Sequence, residues 1–105
     1  MMETLVQILI APRLEDALID WLLAQPQAPV FETSRVQQYG RPLDSLSERV
    51  TGFRQQVLFM LPISSAALDD FLSRFRQGFA SHLDTGAVSY RALPLTASNP
   101  GWQAM

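Results

Sequence analysis

The sequence predicts an α+β fold with the element order β-α-β-β-α-β, and three observations carry that prediction. Thr4–Ile10 and Phe53–Leu61 are runs of aliphatic and aromatic residues, apolar on both faces in the way of strands at the centre of a sheet. Val30–Tyr39 and about Ala87–Leu93 are strand-like but more polar, which suits the edges of a sheet. Between them, the segments following Pro12 and Pro62 repeat apolar residues at helical spacing.

Taken in order, Val6, Ile8 and Ile10 alternate with Leu5, Gln7 and Leu9 in the first strand. Pro12 suits the first turn of a helix, where its missing N–H costs nothing, and Glu15 and Asp16 favour the positive end of the helix dipole. Leu14, Ala17, Leu18, Trp21 and Leu22 form its apolar stripe, and Gln25-Pro-Gln-Ala-Pro29 stops it. The second strand carries Glu32, Thr33, Ser34, Arg35, Gln37 and Gln38. The third is continuously apolar from Val57 to Leu61, and Pro62 is expected to end it. Ser64 or Ser65 is expected to cap the second helix, with Asp69 and Asp70 in its early turns. Leu68, Phe71, Leu72, Phe75 and Phe79 line the core face of that helix, while Asp70 and Arg74 form an i,i+4 pair outside. Gly78 and residues 81–86 then release the chain as a loop into the fourth strand, where Pro94 again marks an edge.

Two apolar strands at the first and third positions, and two polar ones at the second and fourth, fit the ferredoxin-like arrangement. There the sheet has four antiparallel strands, the first and third in the middle, and two helices on one face. The other face keeps apolar residues from both central strands, so a single subunit is expected to self-associate through it. Residues 1–95 are read as one domain and residues 96–105, with Asn99-Pro-Gly101, as a turn-forming tail.

Composition narrows the function classes. With 105 residues of which 48% are hydrophobic, the chain can bury one core. No apolar run approaches the roughly 20 residues of a membrane-spanning helix, so no membrane insertion is expected. The start of the chain lacks a basic region, so Leu5–Ile10 is not read as a signal peptide. Absence of cysteine removes disulfides and thiolate metal sites and makes a cytoplasmic protein the default expectation. A net charge of −2, with eight arginines and no lysine, lacks the footprint of a nucleic-acid binder.

No catalytic constellation stands out, and the chain is not expected to be an enzyme. Gly52-Phe53 touches the aromatic strand motif of RNA-binding ferredoxin-like domains, but Arg54, Gln55 and Gln56 occupy the positions a stacking platform needs. Val50–Arg54 is similar to the phosphate loop of acylphosphatases, yet that loop follows the first strand and this segment precedes the third. The adjacent carboxylates Glu15/Asp16 and Asp69/Asp70 are explained by helix dipoles. His82 is the only histidine; with Asp84 it is the starting point for a metal site only if neighbouring subunits supply further ligands.

The segment from Gly40 to Arg54 is the stretch that packing does not explain. Arg41, Arg49 and Arg54 supply cations, Asp44, Ser45, Ser47 and Glu48 supply hydrogen-bonding groups, and Gly40 and Gly52 bracket them. The glycines permit positive φ or close approach of a ligand. The segment reads equally as a ligand- or partner-binding loop, with Gly40, Arg41, Ser45, Ser47, Arg49, Gly52 and Arg54 as its contact residues, or as a solvated connection.

Leu9-Ile-Ala-Pro-Arg-Leu-Glu-Asp-Ala-Leu-Ile-Asp-Trp-Leu-Leu23, Ser45-Leu-Ser-Glu-Arg-Val-Thr-Gly-Phe-Arg54 with the strand after it, and Val88–Leu95 resemble the PII-like bacterial proteins of domain-of-unknown-function family 3240. The resemblance covers roughly residues 4–95. It implies a ferredoxin-like subunit that assembles as a trimer, as PII signalling proteins and CutA proteins do. It also implies a regulatory or adaptor role linked to heavy-metal efflux or homeostasis, with a transporter component as a partner. The alternative it allows is a CutA-like metal-ion-binding protein using His82 and intersubunit carboxylates. In PII proteins the loop between the second and third strands contacts a target and closes over a nucleotide; residues 40–52 hold that position here. PII nucleotide binding also relies on a glycine-rich, lysine-bearing loop after the second helix. Gln77-Gly-Phe-Ala-Ser-His-Leu-Asp-Thr-Gly86 has no lysine there, so the cofactor stays unassigned.

Overall fold

The chain runs β1 (Glu3–Ile10), a 3-10 turn (Pro12–Leu14), α1 (Glu15–Leu23), β2 (Glu32–Gln38), β3 (Arg54–Ser64), α2 (Leu68–Gly78), α3 (Ala80–Asp84) and β4 (Val88–Pro94). These elements come from a computed structural model, which describes residues 2–40 and 52–97. All strand pairs are antiparallel and the order across the sheet is β2-β3-β1-β4. The apolar first and third strands are central and the polar second and fourth are edges, as the ferredoxin-like reading requires.

Register sorts the side chains into two faces. Val6, Ile8 and Ile10 lie opposite Leu61, Phe59 and Val57 on β3, and opposite Ala92, Tyr90 and Val88 on β4. With Ile63, these strand residues meet Leu18 and Leu22 of α1 and Phe71, Leu72 and Phe75 of α2 in one buried cluster that also holds Phe79. Both longer helices therefore cover the same side of the sheet. Trp21 of α1 packs edge-on to Phe71, Phe75 and Phe79, with ring centroids 5.7, 5.8 and 5.9 Å away. Those phenylalanines recur every fourth residue, so one indole contacts successive turns of the opposite helix. Each aromatic pair contributes about 0.5–1.5 kcal/mol beyond its buried area.

Local details differ from the sequence expectation where tertiary pairing overrides residue preference. Pro62 does not end β3; it pairs with Leu5, and the strand continues to Ser64. The β2–β3 ladder has already finished at Glu32, opposite Met60, so Pro62 interrupts no hydrogen bonds on that side. Neither Ser64 nor Ser65 caps α2, whose N-cap is Ala67 with no side-chain cap bond. Ser65 instead shares a hydrogen bond with Thr4, its Oγ lying 3.0 Å from Thr4 Oγ1, which ties the α2 approach to β1. Residues 80–84 form the short helix α3 rather than a loop. Ala17, placed in the α1 stripe by its spacing, is exposed; Ile19 packs partly against the core.

Candidate functional site

The hairpin joining β2 to β3 is built from its ladder upward. The last paired residues are Gln38 and Arg54. Immediately beyond them the rings of Tyr39 and Phe53 lie 5.7 Å apart and tilted by 47°, closing the hairpin base with an aromatic pair. Gly40 and Gly52 follow with φ of 84° and 81°, and neither has a heavy atom within 4 Å of where a Cβ would stand. The left-handed backbone by itself selects glycine at both positions. Replacing either by alanine should therefore destabilise by about 1 kcal/mol through backbone strain alone. Asparagine at the same position should cost less. Urea unfolding of the four single variants checks this; equal losses for alanine and asparagine would contradict it.

Gly40, Gly52 and Arg54 are thus brought to one end of the sheet. Arg41, Ser45, Ser47 and Arg49, together with Asp44 and Glu48, lie outside the described residues.

The face of the sheet away from the helices continues from Arg54. Leu5 and Leu9 of β1, Leu58 and Met60 of β3 share it with Gln7, Gln38, Gln56 and Arg91. Leu5, Leu9, Leu58 and Met60 are only half-buried, so one subunit does not seal this side. A shallow trough of about 390 Å³ runs across it, floored by Leu9, Leu58 and Val36 and walled by Gln7, Gln38 and Arg91. Arg91 Nε donates to Gln7 Oε1. Gln56 is 5% exposed; its Nε2 donates to Gln38 Oε1 at 3.3 Å, and its Oε1 has no hydrogen-bond partner. An acceptor buried without a donor costs about 1–3 kcal/mol. The sequence expectation of an apolar face is met by its leucines but missed this amide and guanidinium lining. Gln7, alternating with Leu5 and Leu9, was the signal in the sequence.

The other candidates stay apart. His82 sits on α3 with its ring 6.2 Å from that of Phe79. No group of three or more His, Asp or Glu side chains placed to hold a metal ion occurs among the described residues. On the helix side, Arg74 donates from one terminal nitrogen to Gln25 Oε1 at 2.7 Å. Its Nε lies 3.3 Å from Asp70 Oδ2, the predicted i,i+4 pair, but too poorly aligned for a hydrogen bond. Glu15 accepts from Arg35 of β2 at 3.2 Å. No helix among the described residues is long and apolar enough to cross a membrane.

A family model described as "Protein of unknown function (DUF3240)" matches residues 1–98 of the chain. The chain belongs to the DUF3240 family. A crystal structure of a DUF3240 family protein from Shewanella baltica OS155 superposes on it with a TM-score of 0.68 at 14% identity. The match covers 92% of this chain and 93% of that one. At that identity the likeness speaks for the fold that the two DUF3240 chains share. Among curated proteins, none matches the chain.

Proposed function

We propose that this DUF3240 member is a non-enzymatic, PII-like regulatory or adaptor subunit that assembles as a trimer through its open sheet face. In that assembly the 40–54 hairpin is the contact for a small anionic ligand or a partner protein, in a process tied to heavy-metal efflux or homeostasis. The observation that carries the reading is the open face itself. It presents half-buried leucines and a methionine across both central strands, with a buried Gln56 oxygen left without a donor. An exposed apolar face of this kind marks a surface where another molecule docks. The hairpin emerges from the same end of the sheet, beside Arg54 and the Tyr39–Phe53 pair.

Isothermal titration calorimetry tests the ligand side of this proposal. Small anions, with inorganic phosphate and carboxylates as first probes, are expected to release heat that is lost when Arg41, Arg49 and Arg54 are replaced together by glutamine. Heat with copper, zinc, cobalt or nickel, abolished by His82→Ala, would instead turn the reading to a metal-binding protein. No heat with any of them would overturn the anion site.

A further inference from the structure

The open face carries opposite charges on its two edges. The row of residues across the sheet at its middle reads Glu32 on β2, Met60 on β3, Gln7 on β1 and Arg91 on β4. Glu32 and Arg91 thus mark opposite ends of one row, three strand spacings or ~14 Å apart. That is too far for them to pair within one chain. Both are exposed, and Glu32 makes no ion pair among the described residues. Arg91 donates its Nε to Gln7 and keeps its terminal nitrogens for another acceptor. Between these charges the row holds Met60 and the neutral amide of Gln7, whose oxygen takes one Arg91 donor and supplies no countercharge.

We infer that the partner of the open face is a second copy of this chain, and that Glu32 of one copy pairs with Arg91 of the next. This rests on the proposed self-assembly and adds its electrostatic register. Each copy presents a carboxylate on its β2 edge and a guanidinium on its β4 edge. Bringing the β2 edge of one subunit to the β4 edge of its neighbour therefore matches the charges at every interface, and a closed ring leaves none unmatched. Placing two β2 edges or two β4 edges together sets like charges side by side, which opposes those arrangements. The guanidinium fork also matches a carboxylate with two parallel hydrogen bonds, a geometry lysine does not reproduce.

Charge reversal followed by sedimentation equilibrium tests it. Glu32→Arg and Arg91→Glu are each expected to raise the subunit dissociation constant by about tenfold or more, since each creates like charges at the contact. The double variant restores opposite charges with their positions exchanged and should return to near the unmodified value. The milder Glu32→Gln and Arg91→Gln should fall between. Circular dichroism of each variant separates a weakened contact from a lost fold. If the unmodified protein is a monomer, the self-assembly reading fails and takes the pair with it. If the unmodified protein assembles but the double variant is no better than the singles, the Glu32–Arg91 pair alone is wrong.

Discussion

Replacing Phe75 with alanine is expected to lower the stability of the protein by about 3–5 kcal/mol, the range for deleting a buried aromatic ring. Phe75 is fully buried at the centre of the helix-covered side. Its ring lies 5.8 Å from Trp21, 6.4 Å from Phe71, 5.2 Å from Phe79 and 5.6 Å from Tyr90. Through those partners it joins α1, α2 and β4, so collapse around the missing ring would have to move elements on both sides. At about 4–8 °C per kcal/mol for a domain of this size, the melting temperature should fall by ~12 °C or more. Phe75→Leu keeps most of the volume and should cost about 1.5 kcal/mol or less. Thermal and urea unfolding read both values. A loss below about 1 kcal/mol for the alanine variant would show that the aromatic cluster is not where the core is held.

Leu58→Arg is expected to have the opposite signature, a small effect on the subunit and a large one on the assembly. Leu58 sits in the middle of the open face, opposite Leu9 of β1 and Ser34 of β2, and floors the trough. It is half-buried in the single subunit, so the fold should lose only about 1 kcal/mol. In the proposed assembly the same position is covered by a neighbour, where an unpaired guanidinium would cost several kcal/mol to desolvate. Far-ultraviolet circular dichroism should be unchanged while the mass in solution falls to that of one chain. A Leu58→Arg variant that still assembles would place the contact elsewhere on the molecule.

Much of the fold is legible in residue pattern because periodicity and burial agree in it. The doubly apolar runs at Val6–Ile10 and Val57–Leu61 are the central strands, and Glu32 to Gln38 is an edge. The errors occur where pairing, not composition, decides. Pro62 is admitted to β3 because β2 has ended beside it, and no residue at position 62 announces where its neighbour stops. Ser65 reads as a helix cap by type, but its hydroxyl is taken by Thr4 on a strand distant in sequence. The candidate site was only partly legible. The bracketing role of Gly40 and Gly52 follows from residue type, since positive φ selects glycine. The row Glu32, Met60, Gln7, Arg91 is dispersed over the whole chain and exists only once the register is known.

In the proposed assembly the open face of the sheet is a contact between copies of the chain. Multi-angle light scattering on the unmodified protein at micromolar concentration measures it most directly. A molar mass of three times the 11.8 kDa of one chain is the predicted result. A mass of 11.8 kDa that does not change with concentration would contradict it.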